Sequence, residues 1–366
     1  MNILSSTFQE AIVLFRRIAL QVDNSPECIN NYLNEPGIRM LAFDRESGCL
    51  QRTLYLEALS YGDAGVLLDA PGPSLSGLML RELGNYDQQE YFFNFVEQNF
   101  AATFLAVTEP LVGSDAAKMQ TRISRVSLGG YELTGEKWLV GHGADADIGV
   151  VVARISSGPL GLVAILLTKD QLQDREGLSR SHLPMAGLKG ARLSRLIFNG
   201  LKIPEENILG LHLRPINRGM MALIKTFNRM RPAVAAFAQG NSLALLDYMQ
   251  QHVHFNSEQA AHLKRLYREH KIAQRLLYEA ARQVDINPLQ SSYVSMAKVK
   301  TSSLAISAAN FCLQNVSLPV LLQHPLLLKW TRDFAGFEFM EGTSNMQRKN
   351  IANGYLNGEF FYEKNY

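Results

Sequence analysis

The chain has 366 residues, 47% of them hydrophobic and 19% charged, with a formal net charge of +2. A balance this close to neutral gives no reason to expect nucleic acid or an anionic membrane surface as partner, and no apolar run reaches the roughly 18 residues needed to cross a bilayer. Cys28, Cys49 and Cys312 show no metal-ligand spacing, so neither a metal site nor a structural disulfide is expected, and the composition suits a reducing, cytoplasmic setting.

The length calls for two or three domains, and the residue patterns divide into three zones. Residues 1–100 read as an α-helical N-terminal domain. Phe8, Ile12 and Phe15 recur at spacings of four and three, one apolar face of an amphipathic helix rather than a signal peptide. Pro71, Gly72 and Pro73 mark a loop, and Gly84 a helix end. Residues 101–210 carry short apolar or alternating runs separated by Gly, Asp, Ser and Pro, the pattern of an antiparallel β domain. Gly129-Gly130 reads as a hairpin turn, and Gly135 as a turn or bulge. Residues 211–366 return to long helices. Leu223, Phe227, Met230, Val234 and Phe237 form the buried seam of a helix bundle, with Pro232 expected to kink the helix or mark its edge. Ser257 is expected to cap the next helix, Val294–Asn310 to form a third, and a last one to begin at Asn345.

The stretch Phe337-Glu338-Phe339-Met340-Glu341-Gly342-Thr343-Ser344-Asn345 places a carboxylate, Glu341, after an apolar run. Two readings stay open on these residues alone. Glu341 could sit just outside a helix N-terminus capped by Ser344 or Thr343. Alternatively it is a desolvated general base, walled by Phe339 and Met340.

Four stretches decide between them by resemblance. They are Val107-Thr108-Glu109-Pro110-Leu111-Val112-Gly113-Ser114-Asp115; Tyr131-Glu132-Leu133-Thr134-Gly135-Glu136-Lys137-Trp138; Gly187-Leu188-Lys189-Gly190 with Pro204 to Gly210; and Arg332-Asp333 with the Glu341-Gly342-Thr343 run. Together, in order and at about the same spacing, they resemble the acyl-CoA dehydrogenase family over nearly the whole chain. The resemblance implies a helical domain, a β domain and a C-terminal four-helix bundle. It implies FAD as cofactor and oxidation of the Cα–Cβ bond of an acyl thioester. Glu341 then matches the catalytic base. Thr108, Ser114, Trp138, Gly141, Gln314, Thr343 and Asn345 match cofactor-contacting positions, and Ser114, Arg231 and Gly342 substrate-contacting ones. Met230 stands where some members carry an alternative glutamate base. On their residues alone, Pro110 and Gly113 could be turn formers and Arg231 a solvated helix charge.

The chain also departs from the family. Gly141 replaces a threonine expected at the flavin, with His142 beside it. The Arg-x-Phe-Gly element is missing where the chain reads His252-Val253-His254-Phe255-Asn256-Ser257, and Gln314-Asn315-Val316-Ser317 keeps only the glutamine of Gln-x-x-Gly-Gly. The intersubunit part of the FAD site is therefore in doubt. The expected partners are acyl-CoA or an acyl carrier protein, electron transfer flavoprotein as acceptor, and a second copy in a homodimer or homotetramer. The competing readings are a flavin oxidase or monooxygenase on the same scaffold, and a non-enzymatic protein with a decayed flavin site.

Overall fold

The computed structural model describes residues 6–45, 47–113, 118–126 and 129–360. Helices come first: α1 (Ser6–Asn24), α2 (Pro36–Ala42), α3 (Cys49–Asp69), α4 (Ser74–Leu83) and α5 (Tyr86–Asn99). In α1 Phe15 is buried together with Ile18 and Val22, and Phe8 and Ile12 of the predicted face pack partly buried against the same core. Gly84 closes α4, and the Asn85 and Gln88 side chains form a reciprocal capping box that starts α5.

The strands follow: β1 (Phe104–Ala106), β2 (Arg122–Arg125), β3 (Tyr131–Val140), β4 (Gly149–Arg154), β5 (Leu162–Leu167), then a short helix α6 (Lys169–Gln173), β6 (Leu178–His182) and β7 (Ser194–Ile203). They form one sheet in the order β1-β4-β2-β3-β7-β6, with β5 against β4. The sheet is mixed rather than purely antiparallel, because β1 pairs parallel with β4. Parallel neighbours need a long connection, and here the β2–β3 hairpin supplies it. Gly129 and Gly130 have positive φ in that hairpin, and β3 bulges against β7 between Leu133 and Thr134, next to Gly135.

The last part is helical: α7 (Met220–His252), α8 (Ser257–Ile286), α9 (Ser292–Asn315), α10 (Leu318–Gln323), α11 (Pro325–Phe339) and α12 (Ser344–Leu356). Leu223, Met230, Val234 and Phe237 are buried along α7. Pro232 neither breaks nor ends this helix. A proline costs a helix interior about 3 kcal/mol, and burial of one face after another of α7 outweighs that loss. Asn256, not Ser257, caps α8, through a box with Gln259.

The N-terminal helices divide their packing. α1 and α3 share a core with α7 to α11, whereas Met79, Phe92 and Val96 of α4 and α5 pack on Val150, Val152 and Leu166 of the sheet. One buried ionic cluster fixes the junction. Lys329 Nζ of α11 donates to both Asp63 oxygens, at 2.9 and 2.7 Å, and to Asp333 Oδ2 at 2.7 Å. Asp63 also accepts from Trp330 Nε1 and from the Val66 N–H, both at 2.9 Å. Its own backbone leaves the helical region (φ −169°, ψ 127°), so α3 is kinked there. Asp333 Oδ1 accepts the Leu188 N–H at 2.6 Å, which pins the β6–β7 connection to α11. Gly187 and Gly190 allow that approach: a Cβ on them would lie 2.5 Å from the Arg332 carbonyl oxygen and 2.1 Å from that of Gly65. Burial opposes the Lys329 charge, but the two carboxylates hold its pKa above the ordinary value.

Breaking a buried ion pair strands its partner charge. Lys329→Met leaves Asp63 and Asp333 facing each other. It is expected to lower the unfolding free energy by about 3–5 kcal/mol, read from urea unfolding followed by circular dichroism. A loss no larger than that of an exposed pair, under about 1 kcal/mol, would show that the cluster does not hold the junction.

Candidate active site

The chain reverses between α11 and α12 through two consecutive residues of positive φ, Glu341 (54°) and Gly342 (93°). Glycine accepts that region freely, whereas a side chain there is uncommon and costs about 1–3 kcal/mol. Gly342 is further fixed by space, because a Cβ on it would lie 2.8 Å from Gln347 Nε2.

The turn is held from three sides. Gln347 Nε2 of α12 donates to the Glu341 and Gly342 carbonyls at 2.9 and 3.1 Å, and Ser295 of α9 orients that amide through a 2.8 Å bond to its Oε1. Arg231 Nε of α7 donates to the Glu341 carbonyl at 3.3 Å, and its Nη1 bonds the Asn228 side chain. Lys298 Nζ of α9 donates to the Glu338 carbonyl at 2.9 Å and also to that of Gly342.

These backbone contacts leave the Glu341 carboxylate out. The residue is half-buried, yet its Oε2 is shielded from solvent and has no hydrogen-bond partner. Burial pushes the carboxyl up to about 7, against the pull of Arg231 and Lys298. The capping role that the sequence offered Glu341 belongs to Glu338, whose oxygens accept from the Ser344 N–H at 2.7 Å and from its Oγ at 2.6 Å. Thr343 occupies the N-cap position without a side-chain bond. Phe339 does not wall the site: it is 70% exposed. Phe334 and Phe337 take the inner face of α11, and two residues beyond Phe337 the helix has turned about 200°. Met340 does pack against the core.

A second group of predicted residues meets on the sheet. Lys137 is fully buried in β3, where its Nζ donates to the Val107 carbonyl at 2.9 Å and to Glu109 Oε1 at 3.0 Å. Glu109 also accepts the Gln120 and Thr121 N–H groups at 2.6 and 2.8 Å. This pins the segment after β1 against β3, so that the Trp138 N–H donates to the Thr108 carbonyl at 2.9 Å. Trp138 is half-buried, and Leu139 beside it has φ 59° and is 49% exposed. Gly141 lies against the Ala191 carbonyl, 3.2 Å from where a Cβ would stand. His142 Nε2 bonds the Leu68 carbonyl at 2.7 Å. Burial lowers the pKa of this imidazole, and its Nδ1 is buried without a partner.

A cavity of about 120 Å³ lies among α3, α4, α5 and α7, lined by Leu67, Leu78, Phe93, His142, Met230 and Phe237. Asp44, Arg52 and Tyr55 form a polar part of its wall. They bond one another through Asp44 Oδ2.

The structure thus brings Glu341, Gly342 and Arg231 together, and Thr108 together with Trp138. Asn345 is exposed on the first turn of α12, accepting from Arg348 at 3.2 Å. Gln314 is exposed near the end of α9, about 24 Å along that helix from Lys298. Ser114 lies outside the described residues. Among the described residues no group of three or more His, Cys, Asp or Glu side chains could hold a metal, and no helix is long and apolar enough to cross a membrane.

Sequence reasoning missed Lys298 and Gln347. Lys298 was detectable: it follows Val294 by four residues and precedes Thr301 and Ser302, so it lies on the buried side of α9. Gln347 carries no comparable signal, because its role depends on the reversed turn.

Glu341 keeps its proton in the fold up to about pH 7, against an ordinary value of 4.5. Its ionisation therefore costs the fold nothing below about pH 4.5 and the full amount above about 7, and stability falls as pH rises through that window. Glu341→Gln is expected to stabilise the chain by about 1–3 kcal/mol at pH 8 and to change little at pH 4. Unfolding curves at the two pH values check this; an equal effect at both would refute a buried, titrating carboxyl.

Residues 104–201 match the family described as "Acyl-CoA dehydrogenase, middle domain", and residues 217–356 match "Acyl-CoA dehydrogenase, C-terminal domain". A "Probable medium-chain specific acyl-CoA dehydrogenase 2, mitochondrial" of Caenorhabditis briggsae is 29% identical over 312 residues, 82% of this chain and 74% of that protein. Among solved structures, a glutaryl-coenzyme A dehydrogenase in complex with glutaryl-CoA aligns with TM-score 0.82 at 20% identity, covering 97% of this chain and 96% of the other. The Prolyl Acyl Carrier Protein Oxidase AnaB aligns with TM-score 0.81 at 21% identity, covering 96% and 99%. With both family regions matched in order across most of the chain, the protein belongs to the acyl-CoA dehydrogenase family.

Proposed function

We propose that the protein oxidises an acyl thioester to the α,β-unsaturated thioester, with FAD as cofactor and Glu341 as the base. The observation that carries this reading is Glu341 Oε2, shielded from solvent and without a hydrogen-bond partner on a turn that three side chains hold by its backbone alone. A carboxyl tuned to about 7 can take a weakly acidic α proton near neutral pH. Its Oε2 receives that proton, and neutralisation in a dry site is favoured by the same burial that raises the pKa. Arg231 and Lys298 keep enough of the carboxylate ionised to act.

The residues present fit a flavin on one face of the site. Half-buried Trp138 and exposed Leu139 offer an apolar platform, and the Thr108 hydroxyl and nearby backbone groups offer polar contacts. Thr108, Trp138, Gly141 and Thr343 would hold the ring end. Asn345 and Gln314, both exposed, would serve the remainder only across a subunit contact. Bound FAD would accept the β hydrogen with its electron pair, completing a two-electron oxidation. In this reading the cavity beside Met230 and Phe237 takes the acyl group, and Arg231 and Gly342 would meet its thioester end.

The thioester is carried in this reading by a carrier protein rather than by free CoA. The likeness to AnaB supports this, as does the loss of the Arg-x-Phe-Gly and Gly-Gly elements. Electron transfer flavoprotein is the acceptor. The chain works as at least a homodimer, in keeping with exposed Leu313, Leu318 and Leu322 on α9 and α10.

The purified protein is expected to be yellow. Offered matched acyl-CoA and acyl-carrier-protein substrates, it should bleach its flavin faster with the carrier protein; equal rates would remove that preference. Glu341→Gln should keep FAD but reduce it at least about a hundredfold more slowly. A mutant reducing at the wild-type rate would rule out Glu341 as base. Light scattering should give a mass at least twice the 40.9 kDa monomer; a monomer at micromolar concentration would contradict the assembly.

A further inference from the structure

We propose that Lys298 is a positioning residue for the Glu341 base, clamping the turn that carries it and placing a fixed positive charge beneath it. The proposal rests on the assignment of Glu341 as base. Lys298 is fully buried on α9, an unusual place for a lysine, and its ammonium hydrogen-bonds backbone carbonyls rather than a carboxylate among the described residues. Its ammonium spans the turn instead, donating to the carbonyl three residues before Glu341 and to the one immediately after it. Holding both ends of the five-residue segment 338–342 fixes where its left-handed residue aims its side chain.

The rest of α9 repeats the arrangement. Ser295, one turn earlier, orients Gln347, which holds the Glu341 and Gly342 carbonyls. Ser302, one turn later, reaches the Phe337 carbonyl at 3.5 Å. Residues 295, 298 and 302 share one helix face, so a single rigid helix is the template for the whole connection between α11 and α12. The charged groups facing Glu341 are Arg231 from α7 and Lys298 from α9; Glu338 on α11 is engaged by Ser344, and Gln347 on α12 is neutral. Arg231 holds only the Glu341 carbonyl of the turn, so Lys298 alone combines a charge with a grip on both flanks. Burial brings its own pKa down to about 8, so the charge is present where the base must act.

The test compares Lys298→Gln, Lys298→Arg and Glu341→Gln as FAD-loaded protein, following thioester-driven flavin reduction against pH. Lys298→Gln removes the charge and loosens the clamp. Its rate at pH 7 should fall about ten- to a hundredfold, and the acid limb of its profile should move to higher pH, since Glu341 loses a cation that favours its ionised form. Lys298→Arg keeps the charge, so its acid limb should stay at the wild-type position. A Lys298→Gln enzyme slowed equally at every pH, or not slowed, would overturn the proposal, because loss of structure alone scales the rate without moving the limb. If Lys298→Gln yields no yellow protein, Lys298→Arg decides: a slowed enzyme with an unmoved acid limb supports the role, and a moved limb or wild-type kinetics at every pH refutes it. Glu341→Gln separates the two assignments. If it reduces flavin at the wild-type rate the base itself is wrong. If it is inactive while Lys298→Gln keeps its limb, only the Lys298 role fails.

Discussion

The arrangement of the whole chain depends on one buried ammonium. Lys329 is compensated by two carboxylates, one from an N-terminal helix and one from its own helix, and that second carboxylate also holds a backbone N–H of the β6–β7 connection. A buried charge of this kind is costly unless its partners are placed well, so the cluster exists only when all three parts of the chain are in register. The kink at Asp63 and the glycines at 187 and 190 follow from it. Motif residues that look like candidates for chemistry, the Gly-Leu-Lys-Gly run and Asp333, are explained by this junction.

A second ionic pair does the same work within the sheet. Lys137 and Glu109 are buried together, and donors from Lys137, Gln120 and Thr121 outweigh burial and keep the Glu109 carboxyl below its ordinary pKa. The pair brings the backbones of Thr108 and Trp138 together. In both places a charged motif residue is satisfied inside the protein and fixes distant backbone in place.

Glu341 is the opposite case. Its neighbours bind its backbone and leave its carboxylate unpaired, at a cost to stability that a structural glutamate would not carry. Glu338, three residues earlier, shows the ordinary alternative: the same side chain, fully engaged at a helix start. Two glutamates on one short stretch thus take opposite roles because one lies in the last turn of α11, within reach of Ser344, and the other on a left-handed residue that turns it away.

The sequence by itself determined the order of helices, strands and helices, the buried seams of α1 and α7, the end of α4, and the stretch where chemistry is concentrated. These depend on local periodicity and on glycine and proline, which act within a few residues. It pointed to Glu341 but left open whether that carboxylate caps a helix. Only the tertiary structure decided that Glu338 takes the cap, that Phe339 faces out, that Pro232 is absorbed into α7, and that β1 pairs parallel with β4. Each of these turns on which distant segment packs alongside, a long-range energy that outweighs local preference. The same holds for Lys298 and Gln347. Their importance is a set of bonds to carbonyls some 5 to 44 residues away, and such bonds come into being only when α9, α11 and α12 are brought together.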